Sequence, residues 1–352
     1  MNIQQLLEEV VKREASDLHL TVGSMPILRI DGELTPVEGS VPLSEEEVEK
    51  LCFSLVTEEQ KGILLANKEI DFSFSLGELA RFRVNVYHQK GYLVAALRHI
   101  PMKIRTLQEL NLPAVIRNFT RLPQGFILVT GPTGHGKSTT LAALINEINE
   151  ARSDHIITIE DPIEYIYPHK RSLVEQRELH LDTHSWEIAL RSVLREDPNV
   201  VLIGEMRDYE TIAAALTIAE TGHLVFSTLH TNSAAQTVDR IIDVFPENQQ
   251  RQVRAQLAMT LEGIVSQRLV PAIHGGRFPA AEVLLATPAI REMIREGKGH
   301  QIDNYILTSQ ELGMMSLEHS LASLVEAGKI SLEQAQAHTL RPEELSRILK
   351  SK

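Results

Sequence analysis

A glycine-rich segment near the middle of the chain has residue types and a spacing suited to binding phosphate. Residues 131–138 fit the pattern G-x-x-x-x-G-K-[ST], with an apolar run before them and a helical pattern after them. Glycines allow backbone N–H groups to converge on phosphate, and the start of the following helix adds about +0.5 of a charge at the same point. The residues predicted to contact a nucleotide are Gly131, Pro132, Thr133, Gly134, His135, Gly136, Lys137, Ser138 and Thr139.

Two side chains of this segment have specific expected roles. Lys137 would reach the β- and γ-phosphates of a nucleotide, and the hydroxyl of Ser138 would be a ligand of Mg²⁺. The alternative interpretation is a glycine turn that opens a helix and binds nothing. The surrounding strand and helix patterns favour the phosphate site, because the motif requires that context.

Hydrolysis also needs a carboxylate that orients water and a second charge near the metal, and two acidic clusters qualify. Glu160, Asp161 and Glu164 follow the apolar run 156–159, and Glu205 follows the next apolar run. Carboxylates at the ends of parallel strands lie where ligands bind in such sheets. A helix cap or a surface charge is the alternative for any one of them.

Two histidines flank a further apolar run at 224–229. His230 stands at the end of this run, on the predicted ligand side, where it can hydrogen-bond a γ-phosphate, and His223 precedes the run. A purely structural histidine is the alternative for both. His180 and His184 have a zinc-like spacing, but no third ligand accompanies them, and a single cysteine excludes a multi-cysteine zinc site.

The elements that must position these residues change in pattern along the chain. Residues 1–100 read as a small mixed α/β domain, in which Ser44 with Glu47, and Thr57 with Gln60, form capping boxes that predict two helix starts. We predict a linker at 101–114. At 115–352, short apolar runs alternate with helices, which is typical of a parallel sheet, and the part at 288–352 is helical. The predicted fold class is therefore α/β with two domains.

A strand pattern in the first domain places two arginines on one face. In the run 81–87, apolar side chains alternate with Arg81 and Arg83, so that the apolar residues share one face and the arginines the other. A solvated basic face is one interpretation of this pattern. The other interpretation is an arginine that neutralises a transferring phosphoryl group. Such an arginine raises the rate of hydrolysis by ~10³–10⁵-fold.

The composition excludes several classes of protein. The chain has 352 residues, 43% of them hydrophobic, and a net charge of −12. These values exclude a disordered chain and a collagen, and the acidic balance disfavours a nucleic-acid partner. No apolar run approaches the ~18 residues of a membrane span, and the N-terminus lacks the pattern of a secretory signal, so we expect a protein that stays inside the cell.

Four segments together resemble the secretion-superfamily ATPases, in particular those that retract type IV pili. They are the phosphate loop at 131–140, the acidic box at 158–165, the segment 195–208 and the histidine box at 220–232. The resemblance covers nearly the whole chain. It implies a PAS-like N-terminal domain, a RecA-like P-loop ATPase domain with C-terminal helices, ATP and Mg²⁺ as cofactors, and a homohexameric ring in which the N-terminal domain of one copy packs on the ATPase domain of its neighbour.

The resemblance also implies a role for each matching residue. Lys137 and Ser138 are the Walker A pair, Glu164 matches the catalytic glutamate, and Glu160 and Asp161 support it. Glu205 matches the Walker B glutamate near Mg²⁺, and His230 matches the histidine-box residue, with His223 beside it. The arginines implied to reach the nucleotide are Arg81, Arg83 and Arg98. His135 replaces a common serine at a loop position that mainly offers its backbone, so its side chain is expected to matter little.

A C-terminal segment points to retraction within this superfamily. Residues 289–296 resemble a motif of the retraction ATPases and depart from it at Glu292 and Met293. The implied partners are an inner-membrane platform protein, contacted peripherally from the cytoplasmic side, and a paralogous retraction ATPase, with no nucleic acid. The alternatives are that the chain is itself the paralogue, or a type II secretion or pilus assembly ATPase; rivals from other classes are a nucleic-acid motor and a nucleotide switch without turnover.

Overall fold

The computed structural model of the chain divides into two compact units. The described residues are 1–30, 32–77, 79–100 and 103–350. Unit 1 comprises Met1–Lys103 with Pro162–Ile166, and unit 2 comprises Ile104–Asp161 with Tyr167–Lys352. The segment Pro162–Ile166 thus groups with the first unit by its contacts, although it lies in the middle of the second in sequence. The predicted domain limits at 100 and 114 stay predictions.

Unit 1 is built on an antiparallel sheet. Its strands are β1 (Asp17–Leu20), β2 (Ile27–Ile30), β3 (Glu33–Pro36), β4 (Glu69–Leu76), β5 (Ala80–Gln89) and β6 (Tyr92–Ile100). Its helices are α1 (Ile3–Lys12), α2 (Glu45–Phe53) and α3 (Glu58–Asn67). The strand order is β3-β2-β1-β6-β5-β4, and every neighbouring pair is antiparallel.

Reciprocal side-chain caps begin two helices of unit 1. The Ser44 hydroxyl accepts the Glu47 N–H at 3.3 Å, and the Glu47 carboxylate accepts the Ser44 N–H at 2.8 Å. Thr57 and Gln60 make the same pair of bonds at 3.2 and 3.0 Å. Each box satisfies two N–H groups that have no partner within the helix, so both predicted capping boxes are confirmed.

Unit 2 is built on a mostly parallel sheet. Its strands are β7 (Gly125–Thr130), β8 (His155–Glu160), β9 (Leu173–Glu178), β10 (Val200–Ile203), β11 (Leu224–Leu229), β12 (Leu261–Pro271) and β13 (Arg277–Leu285). The order is β13-β12-β7-β11-β10-β8-β9, and only the β12–β13 pair is antiparallel within the described sheet. The strands β7, β10 and β11 are buried along their whole length, as their continuous apolar runs predict.

Helices cover unit 2 and form its C-terminal part. They are α4 (Lys137–Ala151), α5 (Trp186–Val193), α6 (Tyr209–Glu220), α7 (Ala234–Asp243), α8 (Glu247–Thr260), α9 (Pro288–Arg295), α10 (Ile302–Thr308), α11 (Leu317–Glu326), α12 (Leu332–His338) and α13 (Pro342–Lys350). A 3₁₀ helix at Ala114–Arg121 precedes β7. Among the residues that the structure describes, no helix combines the length and the apolar character needed to cross a membrane.

Candidate nucleotide site

Four adjacent parallel strands of unit 2 end at the same edge of the sheet. The phosphate loop follows β7, His230 follows β11, Glu205 is the second residue after β10, and Glu160 is the last residue of β8. These strands are neighbours in the order β7-β11-β10-β8. The fold therefore gathers residues that are up to 99 positions apart at the edge where ligands bind in such sheets.

The phosphate loop needs glycine at particular positions. Gly131, Gly134 and Gly136 have φ values of +139°, +78° and +82°, which side-chain-bearing residues rarely adopt. A Cβ atom on Gly131 would lie 2.2 Å from the carbonyl oxygen of Gln267, and one on Gly136 would lie 2.8 Å from its side-chain nitrogen. The loop backbone is thus packed directly against β12, where no other residue type fits.

Lys137 is held at the start of α4 with its ammonium group over the loop. Its Nζ donates to the carbonyl oxygens of Gly131 and Pro132 at 2.9 and 3.1 Å, and only 8% of the residue is exposed. A buried ammonium at the N-terminus of a 15-residue helix creates a positive site. This arrangement is suited to the β- and γ-phosphates of a nucleotide.

A hydrogen-bonded series joins the loop to the neighbouring strand ends. The His230 Nδ1 lies 3.3 Å from the Thr133 hydroxyl, and its Nε2 lies 3.2 Å from Oε2 of Glu205. A neutral imidazole satisfies both contacts when Nε2 donates to the carboxylate and Nδ1 accepts from the hydroxyl. Arg207 forms an ion pair with the other oxygen of Glu205. The geometry makes His230 the link between the loop and the acid.

The residues at this edge suit a magnesium ion that arrives with a nucleotide. Within the described residues, no group of three His, Cys, Asp or Glu side chains could hold a metal ion by itself. Magnesium prefers oxygen ligands and is commonly held by one or two protein groups together with substrate phosphates. The Ser138 hydroxyl and the Glu205 carboxylate have the chemistry of that donor set.

The acidic box divides between the two units. Glu160 is buried in unit 2, and its Oε1 accepts bonds from the Thr158 hydroxyl at 2.7 Å and from the Gln176 amide at 3.3 Å. Asp161 is exposed and is the last residue of unit 2 before the segment that groups with unit 1. Glu164 is exposed and lies within that segment. The structure of unit 2 by itself does not bring Glu164 to the phosphate loop, and its role stays a prediction.

The three predicted arginines lie together on unit 1. Arg83 and Arg98 are directly opposite each other on β5 and β6, and Arg81 is on the same face of β5. Arg83 forms an ion pair with Asp71 at 2.6 Å, and Arg98 forms one with Asp17 at 3.0 Å. On the opposite face, Phe82, Val84 and Val86 are apolar and buried, so this part of the strand alternates as the sequence predicts.

His223 is placed away from the nucleotide site of unit 2. It precedes β11, whereas His230 follows that strand, so about 20 Å of strand separates the two histidines. Its Nδ1 lies 3.0 Å from the Ile218 carbonyl and 3.1 Å from the Thr221 hydroxyl, within the turn that ends α6. The structure therefore does not bring His223 to the phosphate loop of the same unit, because residues that flank one strand lie at opposite edges of a sheet, and its contact with a nucleotide stays a prediction.

A buried glutamine is a site residue that sequence reasoning missed. The Gln267 amide donates to the His135 carbonyl at 2.8 Å and accepts from the Thr140 hydroxyl at 2.7 Å. Only 3% of Gln267 is exposed. The available signal was a polar pair, Ser266 and Gln267, between the apolar pairs 264–265 and 269–270, since buried polar groups need partners.

Comparisons with known proteins agree with this arrangement. The chain is 47% identical over 343 residues to the type IV pilus retractation ATPase PilT of Pseudomonas aeruginosa, covering 97% of this chain and 99% of the relative. It is 40% identical over 351 residues to the type IV pilus ATPase PilU of the same organism, covering 99% and 92%. The crystal structure of the pilus retraction motor PilT with bound ADP superposes with a TM-score of 0.92 at 46% identity, covering 99% of each chain.

These likenesses confirm the predicted fold class, with an N-terminal α/β domain followed by a RecA-like ATPase domain. A family model described as type II/IV secretion system protein matches residues 1–337. That match covers nearly all of both units, so it includes the phosphate loop, the acidic box and the histidine box. The chain belongs to the family of type II/IV secretion system proteins.

Proposed function

We propose that the protein is an ATPase motor that hydrolyses ATP to drive retraction of type IV pili, and thereby twitching motility. The observation that carries the proposal is the link from the phosphate loop through Thr133 and His230 to Glu205. It supports ATP turnover because it connects the group that binds phosphate with the acid that faces Mg²⁺. The retraction role is supported by PilT, which shares nearly the full length of the chain.

In this proposal each residue of the site has one task. The loop N–H groups and Lys137 bind the β- and γ-phosphates, and Ser138 and Glu205 would hold Mg²⁺, which would supply positive charge to the phosphates. Glu164 orients the attacking water, with Glu160 and Asp161 near it. His230 reports whether the γ-phosphate is present, because its two bonds reach both the loop and Glu205.

We further propose a homohexamer, in which unit 1 of one copy supplies arginines to the nucleotide on its neighbour. The arginines are Arg81, Arg83 and Arg98, which share one face of the unit 1 sheet. Such a seam between copies would convert phosphate release into movement of rigid units. The ring would work at the cytoplasmic face of the inner membrane against the pilus platform protein, without nucleic acid.

A role as the paralogous retraction ATPase is the second candidate. The observation that favours it is the similarity to PilU over nearly the whole chain. The higher identity to PilT supports the first candidate. The protein could be expressed in cells that lack only PilT and in cells that lack only PilU. The strain in which pilus retraction returns would separate the two roles.

Replacement of Lys137 tests the proposed ATPase activity. We expect Lys137→Ala to lower phosphate release from ATP by about 10²-fold or more, because the charge that holds the phosphates is lost. Lys12→Ala is the matched control, since the Lys12 side chain is 77% exposed on α1. A Lys137→Ala protein with wild-type turnover would contradict the proposal.

A further inference from the structure

One strand of unit 2 continues beyond the strand that carries the phosphate loop. The pairing of β12 with β7 ends at Ser266 opposite Thr130, but β12 runs on to Pro271. Residues 267–271, which we call the β12 overhang, pair with β13 along one edge. Among the described residues, no strand pairs with their other edge, so its backbone polar groups need different partners.

The phosphate loop supplies such a partner through a side chain. The Leu269 N–H donates to Nδ1 of His135 at 3.0 Å. The Gln267 amide binds the carbonyl oxygen of the same histidine at 2.8 Å. His135 is therefore attached to the overhang by both its ring and its backbone, whereas the sequence predicted a contribution mainly from its backbone.

The environment of the ring keeps it able to accept this bond. Partial burial lowers the pKa of His135, and nearby cationic groups lower it further. Those groups are Arg268, His338, Arg277 and Lys137. A neutral imidazole retains a lone pair on Nδ1, whereas an imidazolium does not. The ring therefore remains an acceptor for the Leu269 N–H at neutral pH.

The overhang also contacts the histidine box and the C-terminal helices. Arg268 donates from Nη2 to the Asn232 side chain at 3.4 Å and from Nη1 to the His338 carbonyl at 3.2 Å. Asn232 lies two residues after His230, and His338 ends α12. The same short stretch of β12 thus holds the phosphate loop on one side and the histidine-box loop on the other.

We propose that His135 is a positioning residue, whose ring holds the phosphate loop against the β12 overhang in the shape that binds phosphate. The inference rests on the proposed function and deepens it. Without the ring, the Leu269 N–H loses its partner and the loop loses one of its attachments. Because ADP and ATP both use this loop, the affinity for both nucleotides should fall, while the hydrolysis of bound ATP changes little.

Two replacements of the histidine test the proposal. We expect His135→Ala to raise the dissociation constant for ADP and the KM for ATP by about five- to tenfold, which lies within the range that the loss of one hydrogen bond gives. His135→Asn should stay within about twofold of wild type, because its side-chain oxygen can stand where Nδ1 stood. A merely structural role would instead lower the active fraction, and thus the apparent kcat, without changing either constant.

His274→Ala is the matched control, because His274 is exposed in the turn between β12 and β13. Wild-type constants in His135→Ala, or a loss that His135→Asn does not recover, would overturn the proposal. Lys137→Ala is measured in parallel. If it behaves as expected while His135→Ala binds ADP normally, only the role of His135 fails; if it hydrolyses ATP normally, the proposed function fails.

Discussion

At the scale of single residues, Glu205 is the residue of the candidate site whose contacts can change when a nucleotide binds. Its carboxylate binds His230 through one oxygen and Arg207 through the other. Arg207 is largely exposed, so its charge would stay solvated if, in the proposed function, the Glu205 carboxylate held Mg²⁺ in its place. The bonds of His230 to Glu205 and to Thr133 would link that change to the phosphate loop.

Replacement of His230 should separate turnover from binding. We expect His230→Ala to lower ATP hydrolysis by about 10²-fold, comparable to the loss of one preorganised hydrogen-bond donor. Its affinity for ADP should remain close to wild type, because, among the described residues of the loop, the ring hydrogen-bonds only the Thr133 side chain. Phosphate release and ADP titration measure the two effects. An equal loss in both would contradict the role as a γ-phosphate sensor.

The residues of the candidate nucleotide site were predictable where the pattern that identifies them is local. The glycines and Lys137 act within eight consecutive residues, so spacing alone identifies them. The partner of His135 could not be predicted, because Leu269 lies 134 residues away and depends on how far β12 extends past β7. The distance of His223 from the phosphate loop likewise depends on the direction of β11 in the sheet.

At the scale of elements, Glu282 of β13 holds the beginning of α7. Its Oε1 accepts the Ala234 N–H at 2.7 Å, at the helix end that favours negative charge. Burial raises the pKa of Glu282 to about 7, while the bond from Ala234 opposes that rise. The charged groups that face it are Asp303 and Glu318, which raise its pKa further, and Arg341, which lowers it.

The raised pKa of Glu282 predicts a pH-dependent stability. The folded protein keeps this proton up to about pH 7, whereas the unfolded chain releases it near the ordinary value of 4.5. The free energy of unfolding should therefore fall as pH rises from about 4.5 to about 7, by up to about 1.4 kcal/mol per pH unit. Urea unfolding followed by fluorescence of Trp186, the single tryptophan, which lies in unit 2, measures it. Glu282→Gln should lose this slope; the same slope in both proteins would contradict the assignment.

Arg291 of α9 connects its own helix with the end of α8 and the beginning of β12. It donates to the carbonyl oxygens of Ala258 and Met259 at the end of α8, both at 2.9 Å, and to the Ala286 carbonyl at 3.0 Å. It also pairs with Glu262 of β12 at 2.7 Å. The motif at 289–296 therefore uses its first arginine inside the unit, as a cap for α8.

Two arginines of that motif should differ in their effect on stability. We expect Arg291→Ala to lower the free energy of unfolding of unit 2 by about 2–4 kcal/mol, because four acceptors lose a charged donor. Arg295→Ala should change it by less than about 0.5 kcal/mol, since Arg295 pairs only with the exposed Glu292 in the described contacts. Unfolding followed at Trp186 compares the two. Equal losses would show that Arg291 does not cap α8.

The elements that sequence patterns predicted are those whose signal lies within a few consecutive residues. The strands β7, β8, β10 and β11 are continuous apolar runs, and the capping boxes each lie within four residues. The strands β9, β12 and β13 were missed. They carry polar residues, such as Glu175, Gln267 and Glu282, whose partners come from distant parts of the chain. Tertiary contacts, rather than local pattern, stabilise them.

At the scale of the whole molecule, the proposed motor depends on residues that belong to different compact units. The phosphate loop, Glu205 and His230 lie in unit 2, whereas the arginine face lies in unit 1 and Glu164 groups with it. In the proposed ring, a complete nucleotide site forms only where two copies of the chain meet. Nucleotide hydrolysis would then be a property of the assembly, and each unit could remain rigid while the seam opens and closes.

The most direct test of this claim is ATP turnover by mixed oligomers of two inactive variants. One variant carries Lys137→Ala, and the other carries Arg81→Ala with Arg83→Ala; each is expected to be nearly inactive alone. Co-expressed in equal amounts with different tags, they should regain roughly a quarter of wild-type turnover, because one seam in four combines an intact loop with intact arginines. Purified mixed oligomers whose turnover is no greater than that of the separate variants, or an arginine double variant with wild-type turnover, would contradict it.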